Sequence, residues 1–159
     1  MATTLAAPGA RLARLWDQLS PLPGGTWMFS RVLGWMVPYT GSIHAHVRAL
    51  EPGYAKVELS DRRAVRNHLQ SIHAIALVNL GEVTSGLAML VGLPPGVRGI
   101  VTGLSIEYLK KARGTLTAEA RVAIPSVTTT LEHEVEAVIT DDTGDSVARA
   151  IVRWRLAPI

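Results

Sequence analysis

From Ser71 to Val91 the chain is apolar at most positions: Ile72, Ile75, Ala76, Leu77, Val78, Leu80, Val83, Leu87, Ala88, Met89, Leu90 and Val91. The spacing predicts a helix over 71–91 on which these side chains reach nearly every side. A helix apolar all round must be buried, so this one is expected to be the axis of the fold. Glu82 interrupts it, and a buried carboxylate is costly enough to need a reason. Ser71 is the expected N-cap, which leaves the amides of Ile72, His73 and Ala74 in the first turn without intrahelical acceptors. Free amides at a helix start bind negative oxygen. At about 100° and 1.5 Å per residue, His73 and Glu82 point to opposite sides, about 13 Å apart along the axis. For the two to act together, a second copy of the chain must supply one of them, or the helix must start after His73. The first option, a symmetric dimer with a shared site, is preferred.

On both sides of this segment the hydrophobic period is two. Ile43, Ala45, Val47 and Ala49 alternate with His44, His46 and Arg48, and Ala55, Val57 and Leu59 follow the turn at Pro52 and Gly53. That reads as a hairpin of two half-buried strands. Four more strands follow Pro94 and Pro95. Their inward faces are expected to be Ile100, Thr102, Leu104, Ile106 and Tyr108; then Leu116, Ala118, Ala120, Val122 and Ile124; then Leu131, His133, Val135, Ala137 and Ile139; and last Ala148, Ala150, Val152, Trp154 and Leu156. A hairpin about 141–145 would set Glu134 beside Arg153 and Glu132 beside Arg155, as pairs on a solvated face. The expected fold is α+β: one antiparallel sheet wrapped around one long helix over 41–159, preceded by an N-terminal helical extension over 1–40. In the extension, helices are expected over 12–19 and 27–37, separated by Pro21, Pro23, Gly24 and Gly25.

With 159 residues, 48% of them hydrophobic, the chain has enough material for one domain with a substantial core. The net charge of +3 comes from sixteen Lys and Arg dispersed along the chain, with aromatics at 5%. Dispersed charge without stacking rings argues against a nucleic-acid partner. Cysteine is absent, which removes thiolate nucleophiles and thiolate metal sites and fits a reducing cytoplasm. Residues 1–10 lack the charge and apolar run of a targeting segment. The apolar stretch 27–37 is interrupted by Arg31 and falls short of the roughly 20 residues of a membrane span, so no stable membrane insertion is expected. His44 and His46 form a His-x-His pair on a strand, but with no third ligand at suitable spacing no metal site is expected. The Gly-x-Ser-x-Gly elbow of serine hydrolases is also missing.

Asn67, His73 and Glu82 carry a resemblance. Over residues 41–158 the chain resembles the hotdog-fold acyl-CoA thioesterases of the phenylacetyl-CoA type. There an Asn or Gln stands six residues before a His, and an Asp or Glu stands nine residues after it on the central helix; both spacings recur here. The resemblance implies hydrolysis of an acyl-CoA or acyl-carrier thioester in a homodimer or homotetramer, with Glu82 of one protomer facing Asn67, His73 and the Ala74 amide of another. CoA enters only as part of the substrate, and no other cofactor is implied. The family usually reads His-Gly-Gly, whereas this chain reads His73, Ala74, Ile75. Ala74 keeps its N–H, while the side chain of Ile75 is expected to narrow the approach.

On this reading the Ala74 amide stabilises the oxyanion, and Glu82 activates water or attacks directly. Asn67 orients the water or the carboxylate, and His73 holds the loop or donates to the thioester oxygen. Gly81 and Gly86 would leave room for a pantetheine arm. The CoA phosphates would meet Lys110, Lys111 and Arg113, or alternatively Arg62, Arg63 and Arg66. The competing reading is a non-catalytic acyl-binding or CoA-binding hotdog module with Ile75 filling the approach. A hydratase is weaker, because the Asp–His and His-Phe-Pro-Gly patterns of that chemistry are not found. The simplest alternative for Glu82 is a structural acid capped by Asn79 and Ser85 or by dimer contacts.

Overall fold

The structure, a computed structural model, describes residues 8–159; the first seven residues of the extension lie outside it. Three helices come first: α1 (Pro8–Leu19), α2 (Gly25–Met36) and the single turn α3 (Pro38–Gly41). Strands β1 (His46–Glu51) and β2 (Tyr54–Leu59) follow, then the long helix α4 (Ala74–Gly92). The chain ends with β3 (Val97–Tyr108), β4 (Leu116–Arg121), β5 (Leu131–Thr140) and β6 (Ser146–Pro158). All pairings are antiparallel, in the order β1-β2-β4-β5-β6-β3, so β1 and β3 are the edges.

The sheet curls around α4 as the apolar pattern requires. From the strands, Val57, Leu59, Leu116, Ala118, Ala137, Ile139, Ala150, Val152 and Leu156 are all fully buried against Leu80, Ala88 and Met89 of the helix. Helix and sheet approach closely at two glycines. A Cβ on Gly81 would lie 2.7 Å from Cβ of Ala150, and one on Gly86 3.2 Å from the Trp154 ring. These glycines therefore serve helix–sheet packing, and the space expected there for a pantetheine arm is filled.

In three places the structure departs from the sequence reading, each for a local reason. A bulge between Val47 and Ala49 shifts the phase of β1, so that Leu50, opposite Ala55, is buried in place of Ala49. A second bulge, between Val101 and Gly103, does the same in β3: Val97, Gly99 and Val101 share the inner face with Leu104, Ile106 and Tyr108, while Ile100 turns outward opposite Arg155. Helix α4 begins at Ala74, and its N-cap is His73, not Ser71. Ser71 is instead drawn into a loop, where its carbonyl accepts from the Asn67 N–H at 2.8 Å.

The N-terminal helices pad the core. α1 crosses the C-terminal part of α4 so closely that a Cβ on Gly9 would overlap the Leu90 carbonyl, and Trp16 meets the buried Phe29 of α2 edge-on at 5.0 Å. α2 lies on β1. By length and composition α4 could cross a membrane, yet most of it is enclosed by the sheet and α1.

Candidate functional site

The loop between β2 and α4 is built to present the start of α4. Residues Arg66 and Ile72 pair as an isolated bridge, and Gln70 turns the chain at φ 56°. Asn67 closes this small hairpin from inside: its Oδ1 accepts from the Leu69 N–H at 2.9 Å, the Ser71 N–H at 3.3 Å and the Ser71 hydroxyl at 3.2 Å. An Asn that bonds backbone two residues on is a turn device, so only its Nδ2 is left to meet a ligand. Asp61 anchors the loop at its base, accepting from Arg66 Nε at 2.6 Å and from the Gly114 N–H at 2.9 Å. Those bonds, led by the one from Arg66, hold its carboxyl below the usual range.

At the helix start, the amides predicted to be free divide. Ile72 donates to the Ala112 carbonyl and His73 to the Val65 carbonyl, each at 2.8 Å. Ile75 donates to Nδ1 of His73 at 3.1 Å. Because a backbone N–H can only donate, His73 must carry its proton on Nε2, which makes the exposed side of the ring a donor. The Ala74 N–H has no acceptor among the described residues. The Ala74 carbonyl accepts from the Tyr108 hydroxyl at 3.0 Å, tying the end of β3 to the first turn.

Glu82 lies two turns further on. From Ala74 to Met89 every helix residue is buried except Ala74, Ile75, Val78 and Glu82. At helical spacing these four form one stripe, so Glu82 leaves the core on the same side as Ile75. Its carboxylate has no hydrogen-bond or ion-pair partner among the described residues, and burial alone pushes its carboxyl above the usual range. Asn79 and Ser85 do not cap it. Asn79 donates to the Tyr39 carbonyl, and Ser85 donates to the backbone carbonyl of Glu82 and accepts from Trp154. No unpartnered side-chain oxygen in the described residues is sealed from solvent, so the Glu82 oxygens remain reachable. On the same side lie further exposed apolar side chains: Ile75 is 52% exposed and Tyr108 47%, with Val101 open along the β3 edge.

Of the cations expected to meet phosphates, Lys110 is committed elsewhere. It bridges Asp141 at 2.6 Å and Asp145 at 2.7 Å, clamping the β5–β6 turn. Arg113 is exposed, with one 3.5 Å bond to the Leu69 carbonyl, and Lys111 is exposed. Asp61 and Tyr108, which position the loop and the helix start, had no signal in the sequence: the Asp61 bond to Gly114 spans 53 residues of chain and the Tyr108 bond to Ala74 spans 34.

The profile of a family described as a domain of unknown function, DUF4442, matches residues 25–156. The chain belongs to the DUF4442 family. No curated protein matches this DUF4442 sequence. Among solved structures, a structural-genomics target named without a function is 31% identical, with a TM-score of 0.82 over 94% of this chain and 100% of its own. A Pseudomonas aeruginosa protein of unknown function, named "Probable Thioesterase", is 22% identical with a TM-score of 0.76, over 87% of this chain and 97% of its own. A thioesterase family protein from Silicibacter pomeroyi is 16% identical with a TM-score of 0.70, over 82% and 96%. The DUF4442 chain thus has the hotdog fold of thioesterase-family structures, as the sequence led us to expect.

Proposed function

We propose that this DUF4442 protein hydrolyses a small-molecule acyl thioester, carried by CoA or by a protein-bound pantetheine, in a site shared between two copies of the chain. The observation that carries this reading is Glu82: an unpartnered carboxylate on the single open stripe of an otherwise buried helix, with its proton affinity raised by burial. A structural acid capped within its own chain would have partners there, and this one has none among the described residues. The thioesterase names of several hotdog neighbours support the same reaction class.

The chemistry divides between helix start and helix middle. The thioester carbonyl oxygen takes the Ala74 N–H, with the Nε2–H of His73 beside it. Glu82 removes a proton from water as the water oxygen attacks the carbonyl carbon; the carbon–sulfur bond then breaks, and the leaving thiolate regains a proton. A carboxyl with raised pKa is a better base than an ordinary one, and general-base catalysis contributes about 10²–10⁴-fold. Direct attack by Glu82 to form an anhydride uses the same contacts.

Within one copy, Ala74 and Glu82 stand about 12 Å apart along the helix axis. A homodimer joined across the open stripe and the β3 edge would set the Glu82 of each copy against the helix start of the other and cover Ile75, Val101 and Tyr108. Lys111 and Arg113, at the rim of the same helix start, are our candidates for the CoA phosphates. Ile75 favours a second reading. Its side chain stands where the hotdog thioesterases usually have glycine, and if it closes the approach the protein binds acyl-CoA without turnover.

The test is thiol release from short, medium, long and aromatic acyl-CoAs by the native protein beside Glu82→Ala. Turnover that vanishes in the variant, with circular dichroism unchanged, supports hydrolysis. A saturable thermal shift by CoA esters without thiol release supports the binding module.

A further inference from the structure

A large cavity among the described residues is not lined by Glu82. It lies between α2, α3 and the start of β1, encloses about 710 Å³, and reaches inward to Val57 and to Val83 of α4. That volume falls in the range of small-molecule sites. Its walls change character with depth. Leu33, Val47, Val57 and Val83 line the inner part, whereas the mouth carries Arg31, His44 and hydroxyls between the exposed rings of Trp27 and Trp35.

The mouth is a set of donors with no acid to satisfy it. No Asp or Glu lines the cavity, and among the described residues none forms an ion pair with Arg31. Arg31 Nη1 lies 2.7 Å from His44 Nδ1. A guanidinium only donates, so Nδ1 accepts and the His44 proton sits on Nε2, giving a second donor beside the cation. His44 is held there in a left-handed backbone at φ 51°, its N–H bonded to the Gly41 carbonyl at 3.0 Å. A non-glycine residue rarely adopts that conformation, and surrounding contacts must impose it. On the deeper side His46 meets the Thr26 hydroxyl at 3.0 Å.

We propose that this cavity binds a single-chain anionic amphiphile, with Arg31 and His44 on the anionic head and Leu33, Val57 and Val83 along the chain. Carboxylate and phosphate heads share the chemistry the mouth provides. The site is separate from the Glu82 stripe and does not depend on thioester hydrolysis.

The full-length protein is titrated with dodecanoate, dodecyl phosphate, dodecanol and dodecyltrimethylammonium, each below its micelle concentration, following tryptophan emission and heat. The two anions should saturate one site per chain and bind at least tenfold tighter than the alcohol or the ammonium. Whichever anion is tighter identifies the head group. Arg31→Ala should cost the anions at least tenfold while leaving the alcohol unchanged. Ala45→Trp and the more exposed Ser60→Trp, which fill the cavity from two walls, should each abolish binding. Glu82→Gln should bind dodecanoate like the native protein, whatever its effect on thioesters. Equal binding of alcohol and anion, anion binding retained in both filled variants, or signal only above the micelle concentration would overturn the proposal.

Discussion

Two charged regions of this molecule are built in opposite ways. Along the β5–β6 hairpin the strand glutamates have bases facing them: Glu132 with Arg155 at 3.0 Å, Glu134 with Arg153 at 3.3 Å and Glu136 with Arg149 at 2.7 Å, while Asp141 and Asp145 of the turn share Lys110. On α4, Glu82 stands half-buried with nothing opposite. Exposed pairs cost little to form and contribute little, and removing one changes little. An unpaired carboxylate at the edge of an apolar helix is a standing cost, and folding alone gives no reason to keep it. The difference separates acids that decorate a surface from the one to which we assign the chemistry.

Neutralising both kinds of acid should give the largest contrast. Glu82→Gln should lower kcat/KM for thioesters by about 10²–10⁴-fold, while Glu134→Gln leaves it unchanged; equal effects would erase the distinction. Next in size is the helix start. Ala74 is the first helical residue, preceded by His73 at φ −62°, ψ 138°, a conformation compatible with a following proline. Ala74→Pro therefore removes one N–H while keeping the helix, and steady-state kinetics should show kcat falling about 10²–10³-fold, the cost of one oxyanion donor.

Smaller effects concern stability, with opposite signs at Glu82 and Asp61, whose carboxyls the fold shifts in opposite directions. The carboxyl of Glu82 is raised in the fold, so its contribution is most favourable when protonated and is lost as pH rises through the folded value. Glu82→Gln should then melt higher than the native protein at pH 8, by on the order of 2–4 °C if the charge costs about 1 kcal/mol, with the gap closing toward pH 4. The carboxyl of Asp61 is lowered, so its contribution is present above the ordinary carboxylate range and disappears as pH falls through the folded value. Asp61→Asn should melt lower at neutral pH, the loss of hydrogen bonds amounting to about 1 kcal/mol, with no difference in acid. The smallest effect belongs to Arg149→Ala, whose exposed pair with Glu136 should change the melting temperature by less than the error of a thermal scan.

How much of this was legible in sequence varied with the range of the interaction. The regular strands β2, β4, β5 and β6 could be read because each inward side chain follows from its neighbours two places away, and the Glu134–Arg153 and Glu132–Arg155 pairs followed from the turn between them. The edges β1 and β3 could not be fully read, since a bulge flips the phase and leaves no mark in a two-residue pattern. The N-cap was misplaced for a related reason. Ser71 is a better cap by composition, but Asn67 draws it into the preceding hairpin, and His73 caps through its ring. Glu82 was legible as a cost; that its stripe is open, and that Asp61 and Tyr108 brace the helix start, depends on contacts across the chain.

If each site takes Glu82 from one copy and the helix start from another, two defective chains should complement each other. Differently tagged Glu82→Gln and Ala74→Pro chains are co-expressed, the mixed dimer is isolated through both tags, and thiol release is compared with the two parent homodimers. A shared site predicts near-silent parents and a mixed dimer recovering about half of native turnover, because one of its two sites is whole. A mixed dimer as silent as its parents would mean that the site is not shared between copies.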